Sequence, residues 1–246
     1  MRLLRGLHNI PAEFKGCAAT IGTFDGLHLG HQRIIHSLKA VSERHGVPTL
    51  VMLFEPQPKE FFAPDAAPAR LANLREKLQD LKQENVDYVL CLPFNQALRS
   101  MSADAFIKDI LISALGIKHL IVGDDFRFGC DRSGDYQLLR EYGDKYGFDV
   151  QDSPTHELDA ERISSTRIRS ELAANNLVRA AHMLDRPYHM SGRIAYGRQL
   201  GRLLDTPTAN VMVHRRKLPL TGVYAVYATL EESGEKFQGV ANIGVK

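Results

Sequence analysis

The sequence contains few cysteines and no long apolar run. Cys17, Cys91 and Cys130 are odd in number and widely spaced, so they form neither a disulfide framework nor a metal-binding pattern. The most apolar stretch, residues 110–122, is interrupted by a glycine, a lysine and a histidine, and it is too short and too polar to span a bilayer. No N-terminal signal peptide is recognisable. These absences make the reducing cytoplasm the expected compartment.

A marked excess of charge of either sign is also lacking. The 31 Lys and Arg residues and 29 Asp and Glu residues give a formal net charge of +2, which argues against a broad nucleic-acid-binding face. Basic residues cluster only locally, at 162–169 and 215–217, which suits a phosphorylated small molecule better than a polymer. We therefore expect small-molecule partners and neither nucleic acid nor a membrane. The sequence does not indicate an oligomeric state.

Apolar, strand-like runs alternate with helix-like segments up to about residue 155. Strands are predicted at 17–21, 49–54, 87–92, 119–122 and 148–150, and helices at 32–45, 70–84, 103–115 and 136–146. Alternation of this kind predicts an α/β domain whose parallel sheet carries helices on both faces. In such sheets ligands bind beyond the carboxyl ends of the strands. Three polar or aromatic loops, at 22–31, 54–58 and 123–129, follow predicted strands and are therefore expected at one shared site.

The pattern changes near residue 186. The segment 170–184 is predicted to be helical, and shorter strand-like runs follow at 188–195, 209–213, 223–230 and 237–243. A turn-forming stretch at 231–235 joins the last two runs. We therefore predict two domains, at 1–186 and 187–246, and expect the second to be all-β.

The most informative motif is the glycine-rich stretch 22–31, Gly-Thr-Phe-Asp-Gly-Leu-His-Leu-Gly-His. It links a predicted strand to a predicted helix, so that backbone N–H groups and the positive end of a helix can face an anion. His28 and His31 add donors that can follow charge developing on a phosphate. A single loop histidine is more often a surface or packing residue, but two histidines framing a glycine at this place favour catalysis.

A second polar motif, Ile-Ser-Ser-Thr-Arg-Ile-Arg, occupies residues 163–169. Ser164, Ser165 or Thr166 is expected to cap the following helix. The three hydroxyls and two arginines at a helix start also suit a phosphate clamp, because the helix dipole and charge-assisted hydrogen bonds favour an anion. Together with the two histidines, the motif favours the clamp over a merely capped helix.

Five phenylalanines lie in or just after loops that follow predicted strands. They are Phe54, Phe61 and Phe62 around a Phe-Glu-Pro-Gln-Pro turn, and Phe126 and Phe128 in the loop 123–129. Ordinary loop packing would explain them, but beside a polar site they predict a flat apolar slot for a conjugated ring. Asp124 and Asp125 could bind a metal or a donor group of a ligand.

The order of the motifs resembles a known family. The stretch 22–31 alone resembles the nucleotidyltransferase superfamily. It is followed by the Phe-x-Pro-x-Pro turn, Gly-x-Asp-Phe-Arg-Phe-Gly at 123–129, Ile-Ser-Ser-Thr-x-Ile-Arg at 163–169, and Gly201-Arg202 with Pro-Thr-Ala-Asn at 207–210. Together, and over essentially the whole chain, these motifs look like the bacterial bifunctional riboflavin kinase/FAD synthetase.

The resemblance implies a Rossmann-like domain that adenylylates FMN with ATP and Mg²⁺, giving FAD and pyrophosphate. It also implies a β-barrel that phosphorylates riboflavin to FMN. The residues implied as catalytic are His28, His31 and Arg169. Those implied at ATP are Gly22, Thr23, Phe24, Asp25, Gly30, Arg162, Ser165 and Thr166, and those at the flavin are Phe54, Phe62, Asp125 and Phe128. In the kinase module Thr208 and Asn210 are expected to bind Mg²⁺ and ATP.

The sequence departs from the family pattern at two places. The family usually has Gly and an aromatic residue before Pro-Thr-Ala-Asn, where this chain has Asp205 and Thr206. The sequence also ends at Lys246, inside a motif that the family continues, and the kinase's catalytic carboxylate is expected beyond it. The resemblance therefore predicts an incomplete kinase barrel and no phosphorylation of riboflavin by these 246 residues.

Two other functions are compatible with the motifs. One is a nucleotidyltransferase with another acceptor phosphate, such as a pantetheine or nicotinamide mononucleotide. The other is a flavin-nucleotide-binding protein without catalytic activity. The all-β segment and the aromatic loops argue against the first, and the intact histidine and Ser-Ser-Thr motifs argue against the second.

Overall fold

A computed structural model describes residues 1–123, 125–153, 157–158, 161–195 and 208–244. Its first part is built on six strands: β1 (Arg2–Arg5), β2 (Ala18–Ile21), β3 (Thr49–Glu55), β4 (Tyr88–Pro93), β5 (His119–Gly123) and β6 (Asp149–Ser153). They form one sheet in the order β1-β4-β3-β2-β5-β6, and all neighbours pair in parallel. The predicted parallel sheet is confirmed, with β1 as an additional edge strand.

Helices cover both faces of this sheet. The helices of this part of the chain are α1 (Leu29–His45), α2 (Pro58–Phe62), α3 (Leu74–Gln83), α4 (Gln96–Arg99), α5 (Ala103–Ala105) with its π-helical continuation Phe106–Ala114, α6 (Tyr136–Tyr146), α7 (Ser165–Ala173) and α8 (Leu177–Leu184). Successive residues of β3 show the two faces. Met52 packs in a core with the π-helical residues Ile107 and Leu111, whereas Val51 packs with Ile35 of α1.

The predicted helix 170–184 is wrong as a single element. α7 ends at Ala173 and α8 begins at Leu177. Between them Asn175 adopts a left-handed conformation with φ of 61°, which an α-helix does not tolerate. The break turns α8 back onto α7, and Ile168, Leu172 and Met183 pack together in one core cluster.

The strand order contains a switch point at β2. The chain passes from β2 to β3 and β4 on one side, and then returns to place β5 on the other side of β2. In open α/β sheets the crevice outside the carboxyl ends of the strands at such a point is the usual ligand site. Here those carboxyl ends lead into the loop before α1 and into the loop after Gly123.

The remaining strands of the described residues form short antiparallel pairs. β7 (Glu157–Leu158) pairs with β8 (Glu161–Arg162), β9 (Arg193–Ala195) with β10 (Asn210–Met212), and β11 (Gly222–Thr229) with β12 (Lys236–Ile243). The all-β character predicted after residue 186 is confirmed, although β9 and β10 are shorter than the runs predicted at 188–195 and 209–213. No helix within the described ranges is long and apolar enough to cross a membrane.

The C-terminal part contacts the first part through the polar face of α3. Glu76 and Arg215 form an ion pair whose side chains are 1% and 0% exposed. The backbone N–H of Ser191 also donates to Glu76 at 2.5 Å. The Tyr188 hydroxyl donates to the carbonyl of Leu71 at 3.0 Å, and burial raises the pKa of Tyr188 to about 12. Both faces of α3 are therefore covered by protein.

Candidate active site

The loop between β2 and α1 has a conformation that depends on left-handed residues. Phe24, Gly26 and Leu27 have φ values of 44°, 87° and 40°. Phe24 and Leu27 are buried in the core, which offsets their backbone strain. A Cβ on Gly26 would lie 2.9 Å from the side chain of Leu71, so only glycine fits there. Of the side chains from Thr23 to His28, only that of Thr23 is exposed.

The two histidines of the loop stack on each other. His28 is the N-cap of α1, and its Nδ1 accepts the backbone N–H of His31 at 3.4 Å. The two imidazole rings are 3.7 Å apart and 16° from parallel. Phe24 contacts the ring of His31, with a centroid distance of 4.8 Å. The sequence-predicted pair is thus brought together at the N-terminus of α1, where the helix dipole favours an anion.

Burial keeps both imidazoles neutral. It lowers the pKa of His28 from 6.5 to about 4, with the nearby Asp25 carboxylate opposing the shift. It lowers the pKa of His31 as well, and the electrostatic interactions of His31 with His28 and Lys77 act in the same direction. Because Nδ1 of His28 accepts a hydrogen bond, the proton of its neutral ring is on Nε2. His28 is therefore a hydrogen-bond donor at neutral pH.

Asp25 connects the loop to the second polar motif. Its side chain is 1% exposed and accepts the backbone N–H groups of Leu71 at 3.1 Å and Ala72 at 2.9 Å. The guanidinium of Arg169 forms an ion pair with the same carboxylate and donates from Nε to the carbonyl of Ala69 at 2.5 Å. Asp25 and Arg169, predicted at ATP and in catalysis, thus join three segments of the site.

The start of α7 lies beside the same loop. Ser164 is the N-cap, and its Oγ accepts the N–H of Arg167 at 3.2 Å. The Ser165 hydroxyl donates to the backbone carbonyl of Asp25 at 2.9 Å, and Thr166 is exposed. The predicted clamp therefore adjoins the histidine loop, and Ser164 is the cap among the three residues considered.

Arg162 and Asp125 meet at the protein surface near the start of α7. The guanidinium of Arg162 is 3.4 Å from the carboxylate of Asp125, and both side chains are largely exposed. The sequence predicted Arg162 at ATP and Asp125 at the flavin, so the two predicted regions are adjacent. Asp124, also considered as a ligand, lies outside the described residues.

The predicted flavin-binding phenylalanines fall into two groups. Phe54 and Phe62 both contact Phe94, at centroid distances of 5.9 and 5.7 Å, in edge-to-face geometry. Phe62 is 58% exposed, and the guanidinium of Arg99 lies 5.4 Å from its ring centroid. Phe128 is 7% exposed and packs against Phe106 at 5.3 Å. The structure thus presents Phe62 to solvent and places Phe128 in the core.

Thr208 and Asn210, the predicted Mg²⁺ and ATP ligands of the kinase module, lie at the start of β10 and are exposed. Their hydroxyl and amide oxygens are hard donors of the kind that Mg²⁺ prefers. The adjoining positions Gly201, Arg202, Asp205, Thr206 and Pro207 lie outside the described residues.

The sequence analysis missed Lys77 on α3. Its side chain is 2% exposed, and burial lowers its pKa although the Asp25, Glu55 and Glu60 carboxylates oppose the shift. Its charge also contributes to lowering the pKa of His31. The sequence analysis treated segment 70–84 only as a predicted helix, whose leucines at 71, 74, 78 and 81 form an apolar stripe. The sequence signal that could have identified this lysine is the charged pair Glu76-Lys77, followed by Asp80, within an otherwise leucine-rich helix.

Arg186 is a second residue that the sequence analysis missed. Its guanidinium donates to the carbonyls of Gly26 at 3.0 Å and Leu27 at 3.3 Å, and forms an ion pair with Asp80 of α3. Gln32 also donates to the carbonyl of Leu27, at 3.1 Å. The histidine loop is therefore stabilised by hydrogen bonds from Arg186, which lies in the segment that leads into the C-terminal part.

Comparisons with known proteins show the family to which the chain belongs. Residues 10–167 match the family described as FAD synthetase, and residues 184–246 match the one described as riboflavin kinase. A bifunctional riboflavin kinase/FMN adenylyltransferase of Pseudomonas fluorescens is 52% identical over 100% of this chain and 78% of its own. The chain belongs to this family. The enzyme of the same name from Escherichia coli K12 is 48% identical over 100% of this chain and 79% of its own.

Family membership confirms the fold class and the enzyme class predicted from the motifs. The FAD synthetase domain supports adenylyl transfer to FMN, and a riboflavin kinase domain follows it. ATP, FMN and riboflavin fit these domains as substrates.

A solved structure named as a macrolide-efflux protein from Streptococcus pneumoniae is also similar. Its TM-score is 0.81 at 28% identity, over 98% of this chain and 79% of that one. The efflux name applies to that protein, and the likeness supports the fold described above.

Proposed function

We propose that residues 1–186 transfer the adenylyl group of ATP to FMN in the cleft between the histidine loop and the start of α7. The observation that carries this proposal is the stacked, neutral pair of His28 and His31 at the N-terminus of α1. It lies at the switch point of the sheet, next to the hydroxyl-rich motif and Arg162. The proposed boundary at 186 follows the end of α8.

In this reaction an oxygen of the FMN phosphate attacks the α-phosphorus of ATP. The bond from that phosphorus to the bridging oxygen breaks, and pyrophosphate leaves. Nε2–H of His28 donates to a phosphate oxygen, and the N–H groups of Leu29 and Gly30 face the same anion, because the first turn of a helix lacks acceptors for them. These donors are fixed before the reaction, so they stabilise the charge that shifts to the leaving group without reorganisation.

Asp25 and Arg169 are proposed to hold the cleft in shape. Their ion pair and the hydrogen bonds of Asp25 to Leu71 and Ala72 use the carboxylate within the protein. Phe24 and Asp25 are buried, so they would meet ATP through backbone groups. Arg162, Ser165 and Thr166 are proposed to face the phosphates from the α7 side.

Mg²⁺ is proposed to enter the adenylyl site with ATP. Protein donors occupy the Asp25 carboxylate, which leaves the phosphates as the main ligands for the ion, as is common for Mg²⁺ in nucleotide sites. Bound there, the ion would neutralise phosphate charge. In the kinase module, Thr208 and Asn210 supply oxygen donors that fit Mg²⁺ chemically.

The decisive assay incubates the purified protein with FMN, ATP and Mg²⁺ and separates the products. We expect FAD and pyrophosphate in equal amounts. Turnover with a pantetheine or nicotinamide mononucleotide acceptor but not with FMN would favour another nucleotidyltransferase, and tight FMN binding without turnover would favour a binding protein. The absence of riboflavin phosphorylation by these 246 residues stays a prediction, and the same assay with riboflavin in place of FMN measures it.

Replacing Phe62 by alanine is expected to raise the KM for FMN about 2- to 12-fold and to leave the KM for ATP nearly unchanged. An exposed ring can stack on the flavin, and an aromatic pair is worth about 0.5–1.5 kcal/mol. Phe237→Ala, in exposed position on β12, is the matched control. Equal effects on both substrates would place Phe62 outside the flavin site.

We also propose the cytoplasm as the location of the enzyme. All three cysteines are free thiols, and burial raises the pKa of Cys17 to about 12. Free thiols persist in a reducing compartment.

A further inference from the structure

A cluster of metal-ligating side chains lies at the end of the sheet opposite to the histidine loop. α1 begins beside that loop and ends at His45, and the parallel strands β5 and β6 begin at His119 and Asp149. One ligand atom from each of these three residues lies within 4.8 Å of the other two. The cluster is thus separate from the proposed adenylyl site and plays no part in the reaction described above.

The distances within the cluster are close to those of a coordination site. Oδ2 of Asp149 is 3.9 Å from Nε2 of His45 and 3.8 Å from Nδ1 of His119. A tetrahedral zinc ion bound at 2.0–2.1 Å would place its nitrogen and oxygen ligands about 3.4 Å apart. Small side-chain rotations would therefore bring the three atoms to coordination distance.

The buried ring of His119 gives an independent indication of a metal ligand. Its side chain is 10% exposed, and Nδ1 has no hydrogen-bond partner within the described part of the chain. Nε2 lies 3.3 Å from the amide oxygen of Gln151, which can only accept a hydrogen bond. The ring proton is therefore on Nε2, and Nδ1 carries the lone pair, 3.8 Å from Oδ2 of Asp149.

This arrangement matches the outer shell of known metal sites. Histidine ligands usually donate their second ring N–H to a carbonyl or carboxylate, which fixes the tautomer and orients the lone pair. The amide oxygen of Gln151 accepts the corresponding hydrogen bond from Nε2–H of His119. His45 lies in the last turn of α1, where the negative end of the helix dipole favours a cation.

We propose that His45, His119 and Asp149 bind a divalent transition-metal ion of the zinc type, with water completing the coordination. Two imidazoles and a carboxylate are donors that suit Zn²⁺ rather than Mg²⁺ or Ca²⁺. The ion would tie the C-terminus of α1 to the first residues of β5 and β6. It would thereby fix the far end of the helix that begins at the catalytic histidines.

The test titrates the metal-free 246-residue protein with Zn²⁺ by calorimetry and with Co²⁺ by visible absorption. We expect one site with an absorption typical of tetrahedral Co²⁺, and a rise in the thermal midpoint with Zn²⁺. Gln151→Leu is expected to weaken binding about 10- to 100-fold, as outer-shell changes do. Asp149→Asn and His45→Ala should weaken it at least as much.

The controls separate this site from other histidines. Asp149 is 70% exposed and His45 37% exposed, so their variants should fold. His36→Ala is the matched control, because His36 also lies on α1 and contacts one carboxylate, Glu84, at 3.3 Å. Zn²⁺ affinity that is unchanged in Asp149→Asn and His45→Ala, or equally reduced in His36→Ala, would overturn the proposal. So would the absence of Zn²⁺ binding by the unmodified protein.

Discussion

Replacing His28 by alanine is expected to lower the rate of FAD formation about 10²- to 10³-fold at saturating ATP and FMN. The imidazole is fixed by burial, by the stack on His31 and by the N-cap hydrogen bond, so it acts as a donor in place before the reaction. Removing one such donor typically has an effect of this size. The lost N-cap also costs about 1 kcal/mol of stability, which the fold should tolerate.

Single-turnover kinetics and circular dichroism check this prediction together. His182→Ala, on an exposed position of α8, is the control and should keep full activity. His28→Asn should retain more activity than His28→Ala, because an amide side chain can both cap a helix and donate. A folded His28→Ala variant with near-normal turnover would show that the imidazole does not act on the phosphates.

The pH dependence distinguishes a neutral from a charged His28. Its pKa is about 4 in the folded protein and 6.5 ordinarily, so the unfolded chain binds the proton more readily. The stability contributed by the neutral ring is complete above pH 6.5 and is lost as the pH falls toward 4. Because His28 stays neutral between pH 6 and 8, we expect its titration to cause no change in the rate of chemistry over this range. A catalytic imidazolium would instead lose activity as the pH rises through about 6.5.

Much of the sheet could be predicted because its strands are continuous apolar runs. β2 to β5 are buried on both faces, so their sequences are continuous apolar runs that are easily assigned as strands. β1 was missed because Arg2 and Arg5 frame only two leucines, as an edge strand allows. The helix break at Asn175 was missed because a left-handed residue leaves no periodic signal.

The neighbourhood of the site could also be predicted, but not the direction of each side chain. Parallel strands bring their carboxyl ends to one edge, so the histidine loop and the loop after β5 had to be close. The direction of the Asp25 side chain depends on the left-handed residues around it. In the structure this side chain is buried and forms an ion pair with Arg169. Phe128 is drawn into the core because it packs on Phe106.

The polar face of α3 was the largest omission. Charged residues opposite a leucine stripe usually form a solvated helix face. Here Glu76 and Asp80 are at most 5% exposed, because the C-terminal part and the linker before it supply Arg215 and Arg186. Lys77 is buried near the carboxylates of Asp25, Glu55 and Glu60. Contacts between residues more than 100 positions apart cannot be derived from local periodicity.

Replacing Arg215 by methionine is expected to lower the free energy of unfolding by about 3–5 kcal/mol. The variant leaves the Glu76 carboxylate buried without its cation, and an uncompensated buried charge has a cost of this size. Chemical denaturation followed by circular dichroism measures the change. Arg216→Met, at the adjacent exposed position, is the matched control and should stay within about 0.5 kcal/mol of the parent.

The double variant Glu76→Gln with Arg215→Met separates the lost charge from lost packing. Because it removes both charges, it should be more stable than Arg215→Met alone; equal stability would mean that the buried charge is not the cause.

The loss of the ion pair between Glu76 and Arg215 should also lower catalytic activity. Arg186 connects Asp80 of α3 to the carbonyls of Gly26 and Leu27, so loosening the contact on α3 removes support from the loop that positions His28. Arg215→Met should therefore lower FAD synthesis even where the protein remains folded, whereas full activity in the folded variant would show that the two parts are energetically independent.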